Sequence, residues 1–351
     1  MQTGDPLEII LQNPRQPITA TLIPGDGIGP EITRSVQEVF SAADIGIEWE
    51  VFSMDHFAST GDAGTIPDEI LTRIKKNRIG LKGPTETPIG VGHRSLNVNL
   101  RQALQLYANV RPIRNIPGLK SLHENIDLII VRENTEDLYA GIEYNVSPTV
   151  AHAIKIVTYE ASHRICIYAF ELARRLNRRK VTAVHKANIM KRTDGLFLDA
   201  YRSAAKEFPE IELEEMIVDA FAMKLVMTPK IYDVIVTENL YGDILSDVAA
   251  GLTGGLGIAP GANIGAEVAL FEAVHGSAPD IAGKNIANPT ALLLSAIMML
   301  EHIGGVIQAA RLRVALHKTI SDRETRTRDL GGMLSTAEFT RAVIKNLRAS
   351  T

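Results

Sequence analysis

The chain has 351 residues, 45% of them hydrophobic and 22% charged, which excludes disorder, collagen and coiled coil and makes two lobes the natural expectation. Lys and Arg number 37 against 41 Asp and Glu, a formal charge of −4, so no global field directs the protein to nucleic acid or to an anionic membrane. A single cysteine, Cys166, excludes an internal disulfide framework and any metal site built on several thiols.

The first residues show no basic stretch followed by an apolar one, so no secretory signal is expected. Residues 19–23 read as a strand that ends at Pro24-Gly25-Asp26-Gly27, and residues 30–43 have helical apolar spacing. Further strands are expected at 127–131, 181–184 and 233–237, each a continuous apolar run. Continuous runs fit a parallel sheet covered by helices on both faces, and the helical stretches 160–176 and 194–208 alternate with them. The basic run Arg174-Arg175-Leu-Asn-Arg178-Arg179-Lys180 reads as cations at a helix end beside a solvated turn. Residues 291–300 are the longest apolar run, too short for a bilayer and suited to a buried helix. No repeat or low-complexity linker marks a domain border, as when a chain crosses between lobes twice.

The glycine loops Gly25-Asp-Gly27-Ile-Gly29 and Gly254-Gly255-Leu-Gly257 miss the G-x-G-x-x-G spacing, and no G-x-x-x-x-G-K-[ST] occurs. A standard Rossmann or P-loop site is not expected. Asp243 and Asp247 are four apart, so on a helix both carboxylates share one face; such a pair is either a solvated face or half of a site for a hard divalent cation. Arg101, Arg111 and Arg132 stand in apolar surroundings, where guanidinium groups serve structural ion pairs or bidentate binding of a polycarboxylate. Lys186 follows a strand, a place where desolvation suits an amine to proton transfer. Its neighbour His185 reads as a packed histidine, and Tyr139 as an acid or a core residue.

Seven blocks join these residues: Gly83-Pro-Thr-Glu-Thr-Pro-Ile-Gly90, Arg94-Ser-Leu-Asn-Val-Asn-Leu-Arg101, Ala108-Asn-Val-Arg-Pro112, Arg132-Glu-Asn-Thr-Glu-Asp-Leu-Tyr139, His185-Lys-Ala-Asn-Ile-Met190, Asn239-Leu-Tyr-Gly-Asp-Ile-Leu-Ser-Asp247 and His275-Gly-Ser-Ala-Pro-Asp-Ile-Ala-Gly283. In this order they resemble the β-decarboxylating isocitrate/isopropylmalate dehydrogenase family, and within it the NAD-dependent isocitrate dehydrogenase branch. The resemblance implies a three-layer α/β fold of two lobes, with the active site in the cleft and no standard Rossmann fingerprint. Residues 1–106 and 255–351 would form the large cofactor-binding lobe, and residues 107–254 a small lobe carrying a homodimer interface, with a higher oligomer possible.

It further implies oxidative decarboxylation of isocitrate with reduction of NAD, assisted by Mg²⁺ or Mn²⁺. Thr87, Ser95, Asn97, Arg101, Arg111 and Arg132 would bind substrate. Ser95 and Asn97 suit the γ-carboxylate of isocitrate and would leave polar groups unpaired against the isopropyl group of isopropylmalate. Asp243 and Asp247, with Asp219 of a neighbouring subunit, would hold the metal. Lys186, also from the neighbour, would take the hydroxyl proton, and Tyr139 would protonate carbon after CO₂ leaves. Ile23, His275, Gly276, Ala278, Asp280, Ile281 and Asn288 would form the cofactor pocket. Asp280 would accept from the ribose hydroxyls and repel a 2′-phosphate, against which Arg323, Arg326 and Arg328 would weigh. Homoisocitrate or 3-isopropylmalate as substrate, and a non-catalytic regulatory subunit of a hetero-oligomer, are the competing expectations. The bacterial-like wording at Tyr139 points to the cytoplasm, with the mitochondrial matrix as the alternative.

Overall fold

A computed structural model describes residues 17–54, 66–86 and 95–349. The chain opens with β1 (Ile18–Ile23), α1 (Gly29–Ala42), β2 (Ile47–Val51), α2 (Asp68–Asn77), β3 (Ile79–Lys82) and α3 (Leu96–Ala103). It continues through β4 (Ala108–Arg114), β5 (Asp127–Glu133), the strands β6 (Glu143–Ser147) and β7 (Val150–Ala153), and α4 (Tyr159–Arg175). Next come β8 (Lys180–His185), α5 (Thr193–Ala205), β9 (Glu212–Ile217), α6 (Val218–Met227), β10 (Val234–Thr237) and α7 (Asn239–Thr253). The last elements are β11 (Pro260–Ile264), β12 (Ala269–Ala273), α8 (Thr290–His302), α9 (Val306–Ser321) and α10 (Thr336–Arg348).

These elements form two compact units. The first takes Met1–Leu104, Ile116–Lys120 and Gly254–Thr351, the second Gln105–Asn115 and Ser121–Thr253. The short return at Ile116–Lys120 departs from the simple two-crossing division expected from sequence. Its cause is backbone capture: the Ser321 hydroxyl donates to the Pro117 carbonyl (2.9 Å) and the Arg326 guanidinium to that of Gly118 (2.7 Å).

In the first unit the strands run in the order β2-β1-β3-β12-β11, all neighbours parallel except β11 with β12. Helix α1 buries Ile32, Val36, Val39 and Phe40, which recur at helical spacing along one face. Helix α8 is buried on nearly every side, as its apolar run requires. The glycine loop after β1 is held by its own unit. The Asp26 N–H donates to the Pro84 carbonyl (2.7 Å) and the Ile28 N–H to that of Ser277 (2.9 Å). A Cβ at Gly27, where φ is +56°, would lie 2.1 Å from the Ser277 carbonyl oxygen. Two N–H groups of this loop, of the kind a Rossmann turn offers to a pyrophosphate, are engaged by backbone.

In the second unit the order is β4-β5-β10-β8-β9, parallel except for β4 with β5. That antiparallel pair sets Asn109 opposite Arg132 and leaves Arg111 two residues along, so all three side chains share one face of the sheet. Helix α7 packs on β4 and β5. The basic run after α4 is paired: Arg178 bridges Asp127 (2.6 Å) and Asp233 (2.9 Å), and Arg174 lies over the Phe208 ring.

The first unit also buries a charged cluster. Glu272 of β12 accepts from Lys82 (2.6 Å), Arg101 (3.1 Å) and Asn263 (2.7 Å). Burial disfavours its ionised form, but the Lys82 and Arg101 charges outweigh this and hold the carboxyl well below the usual range. A depressed carboxyl stabilises the fold above its unfolded pKa, and that contribution fades as pH falls through the folded one. Glu272→Gln is therefore expected to lower stability at neutral pH by about 3–5 kcal/mol, since two largely buried cations lose their counter-charge. Urea titrations across pH check both parts: the wild type should lose this advantage only below about pH 4.

Candidate active site

The second unit gathers five of the expected residues in one network. Arg111 from β4 and Arg132 from β5 are both buried, Arg132 to 1% exposure. Arg111 Nε donates to Asn109 (2.8 Å), Nη1 to Ser246 and to Asp247 Oδ1 (3.1 Å), and Nη2 to Asp243 Oδ1 (3.4 Å). Arg132 donates through Nε to Asn239 (2.9 Å) and through Nη1 to Asp243. Asn239, Asp243, Ser246 and Asp247 all belong to α7, whose spacing turns them toward the arginine-bearing face.

Tyr139 sits in a single 3₁₀ turn, Leu138–Ala140, its ring 4.9 Å from the Arg132 guanidinium and its hydroxyl donating to Asp243. Burial pushes the phenol above its usual value; Arg132 opposes this and Asp243 adds to it. Tyr139 is thus a protonated donor at neutral pH. The turn is aimed by Asp137, whose φ of +71° is rare outside glycine. One Asp137 oxygen accepts the Leu138 N–H (2.8 Å) and the other the Leu240 N–H at the start of α7 (2.8 Å).

Asp247 is held above the usual carboxylate range by burial and by its like-charged neighbour Asp243, with Arg111 and Arg132 acting against both. Two carboxylates that converge on one guanidinium are hard oxygen donors in need of a cation, which fits them to Mg²⁺ or Mn²⁺. Among the described residues no group of three His, Cys, Asp or Glu side chains is placed to hold a metal within one chain.

Lys186 and Asp219 form a second pair at 2.6 Å, the lysine just after β8 and the aspartate in the first turn of α6. The Lys186 hydrogen bond holds the exposed Asp219 carboxyl below its ordinary value. His185 is buried, accepts the Ala187 N–H (3.1 Å), and is pushed toward its neutral form by burial. It is a packed histidine.

The remaining residues lie in the first unit. Arg101 is paired with Glu272, Asn97 accepts from the Thr85 hydroxyl (2.9 Å), and Ser95 stands at the N-terminus of α3. Thr87 falls outside the described residues. Ile23 ends β1, and its carbonyl accepts the Gly83 N–H (2.7 Å). His275 Nδ1 donates to the Gly276 carbonyl (3.0 Å), and its buried Nε2 has no hydrogen-bond partner among the described residues. Among the described residues, and leaving out its chain neighbours, no atom lies within 4 Å of a Cβ built on Gly276; Ala278 has φ +42°, Asp280 is exposed and Ile281 half-buried. Asn288 donates to Asp329 (2.9 Å) and accepts the Thr290 N–H (3.0 Å), so its amide already braces the turn before α8. Two of the three arginines expected to oppose NAD are engaged elsewhere: Arg326 binds the Ile320, Gly118 and Ser321 carbonyls, and Arg323 that of Gly331.

Guanidinium groups set against paired carboxylates, beside a protonated tyrosine, have the chemistry suited to an enzyme that handles polycarboxylates. The chain belongs to the isocitrate/isopropylmalate dehydrogenase family, whose model matches residues 19–343. It is 53% identical over 336 residues to the mitochondrial NAD-dependent isocitrate dehydrogenase catalytic subunit 5 of Arabidopsis thaliana, covering 94% of this chain and 89% of that one. It is 52% identical over 331 residues to a mitochondrial regulatory subunit of the NAD-dependent isocitrate dehydrogenase of Dictyostelium discoideum, covering 94% and 92%. The crystal structure of isocitrate dehydrogenase from Methylococcus capsulatus superposes with a TM-score of 0.90 at 50% identity, covering 94% of this chain and 99% of that one.

Gly242, which sequence reasoning passed over, lets Arg132 and α7 meet. A Cβ there would lie 2.5 Å from Arg132 Cγ and 2.7 Å from its Cβ. Its only signal in the sequence is a glycine inside a helical stretch. Gly242→Ala is expected to cost about 1–3 kcal/mol by overpacking. Displacing the guanidinium should also cut isocitrate turnover on the order of a hundredfold, measurable in the folded variant by steady-state kinetics.

Proposed function

We propose that the protein catalyses the NAD-dependent oxidative decarboxylation of isocitrate to 2-oxoglutarate, as an assembly in which neighbouring chains complete each other's sites. The observation that carries this reading is the network of Arg111, Arg132, Tyr139, Asp243 and Asp247, intact in one chain. Arg111 and Arg132 bind substrate carboxylates, and Arg101, Ser95, Asn97 and Thr87 belong to the same substrate-binding set. Asp243 and Asp247, with Asp219 of a second copy, hold Mg²⁺ or Mn²⁺. Such an ion, when bound, supplies Lewis-acid polarisation of the substrate's hydroxyl and carbonyl oxygens.

Lys186 of the neighbouring chain would accept the hydroxyl proton, and NAD, when bound, would supply the hydride acceptor for the oxidation. The β-keto acid so formed loses CO₂, its electron pair moving into the carbonyl as an enolate. Tyr139, kept protonated by burial and Asp243, returns a proton to that carbon. His275, Gly276, Ala278, Asp280, Ile281, Asn288 and Ile23 form the cofactor pocket, and His275 Nε2, which has no partner among the described residues, is suited to a cofactor contact there.

A second copy as the partner is supported by apolar surface on the second unit. Tyr144, Val146 and Val150 are exposed on the β6–β7 hairpin, and Met223 and Val226 on α6. Asp219 lies at i, i+4 and i+7 with these two α6 residues and so shares their face. Among the described residues no helix is long and apolar enough to cross a membrane. The likeness to a regulatory subunit gives the competing reading a specific footing, and an assay of the pure single chain separates the two: turnover without any partner subunit excludes the regulatory reading.

Two outcomes are expected. Arg111→Gln and Lys186→Met should each lose about two to three decades of activity. Unfolded together and refolded as mixed dimers, they should regain activity, because one site in each mixed dimer then receives wild-type Arg111 from one chain and wild-type Lys186 from the other. No recovery, with mixed dimers verified by native mass spectrometry, would overturn the shared site. Separately, Asp280→Lys combined with Ile281→Tyr should raise NADP use and depress NAD use, read as kcat/KM for each cofactor.

A further inference from the structure

Asp194 takes no part in the chemistry just described, yet its two oxygens accept four hydrogen bonds. It is the second residue of α5 and is fully buried. Oδ1 accepts from Lys155 Nζ (2.6 Å) and from the Thr193 hydroxyl (3.0 Å). Oδ2 accepts the backbone N–H of Lys186 (2.7 Å) and the Tyr241 hydroxyl (3.1 Å). Lys155 also reaches Glu238 (3.0 Å) and lies over the Tyr241 ring at 4.7 Å. Glu238 and Tyr241 flank the start of α7, so one buried carboxylate joins the turn that carries Lys186 to the helix that carries Asp243 and Asp247.

A buried ion pair is a poor way to add stability, since apolar residues of equal volume do as well or better. It is a good way to fix an irregular backbone, because the N–H of a turn must find an acceptor and a charged one sets its direction. We infer that Asp194 is a positioning residue. Through the Lys186 N–H and the Tyr241 hydroxyl it fixes the spacing between the proton-accepting lysine and the carboxylates of α7 within each chain. Because Lys186 serves the neighbour's site and α7 its own, the same bond ties the two sites of a dimer together. This inference rests on the proposed role of Lys186. The substrate-binding arginines make the contacts described above to Asn109, Asn239, Asp243, Ser246 and Asp247, so loss of Asp194 should act on turnover more than on binding.

The test uses the full-length Asp194→Asn and Tyr241→Phe variants, with Lys186→Met as reference. Steady-state kinetics with isocitrate, thermal unfolding, and trace acylation of the Lys186 amine by acetic anhydride across pH, read by peptide mass spectrometry, are measured on each. Asp194→Asn is expected to lower kcat on the order of a hundredfold while KM stays within about threefold, and to displace the Lys186 labelling profile. Tyr241→Phe keeps the Lys186 bond and loses only the tie to α7, so it should lower kcat by about three- to tenfold with KM again nearly constant. A folded Asp194→Asn enzyme with kcat within about twofold of wild type, or with unmoved Lys186 labelling, overturns the positioning role. If Asp194→Asn does not fold, Tyr241→Phe decides, and wild-type kcat there overturns it equally. An active Lys186→Met enzyme would instead overturn the function assigned to Lys186, a different failure with its own signature.

Discussion

Burying the Arg132 guanidinium is the constraint around which the second unit is arranged. A cation at 1% exposure must meet acceptors at close range or the fold loses several kcal/mol. Strand β5 delivers it, and α7 answers along its first turns: Asn239 takes Nε, Asp243 takes Nη1, and Gly242 between them has no side chain to hold the helix away. The same approach brings Asp243 to the Tyr139 hydroxyl and sets the Tyr139 ring beneath the guanidinium. Asp137 accepts an unfavourable φ to hold that turn against α7. Asn239, Gly242, Asp243, Ser246 and Asp247 are therefore less a string of ligands than one helix face cut to fit two strand-borne arginines.

Much of this was readable in the residues. Continuous apolar runs at 127–131, 181–184 and 233–237 did become β5, β8 and β10, because strands covered on both faces need no polar alternation. The run at 291–300 became a helix buried nearly all round. The i,i+4 aspartates and the arginines in apolar settings were visible as candidates, since a charge among apolar neighbours is conspicuous. What stayed hidden were partners distant in sequence. Nothing near Glu272 announces Lys82 and Arg101, nor does anything near Asp194 announce Lys155 and Tyr241. The return of Ile116–Lys120 to the first unit depends on carbonyls captured by Ser321 and Arg326, some two hundred positions away. Arg326 itself shows the limit of counting charges, because a guanidinium that looks free to meet a phosphate is engaged by backbone oxygens.

The arrangement of charge carries a consequence for binding. In the second unit two guanidinium groups face two carboxylates, and the Lys186 ammonium faces Asp219. Each cation suited to a substrate carboxylate has an anion of the same chain against it, and each anion suited to a metal has a cation. A polycarboxylate arriving alone must compete with Asp243 and Asp247 for the arginines and leaves those aspartates with less compensation. A divalent cation arriving alone takes the aspartates and leaves buried Arg111 and Arg132 short of counter-charge, which low-dielectric surroundings punish. Arriving together they exchange partners, with arginine passing to substrate and aspartate to metal, and every charge stays compensated. On the proposed assignment the two ligands would be coupled through the protein's own ion pairs, and thermodynamic linkage would require each to tighten the other by the same factor.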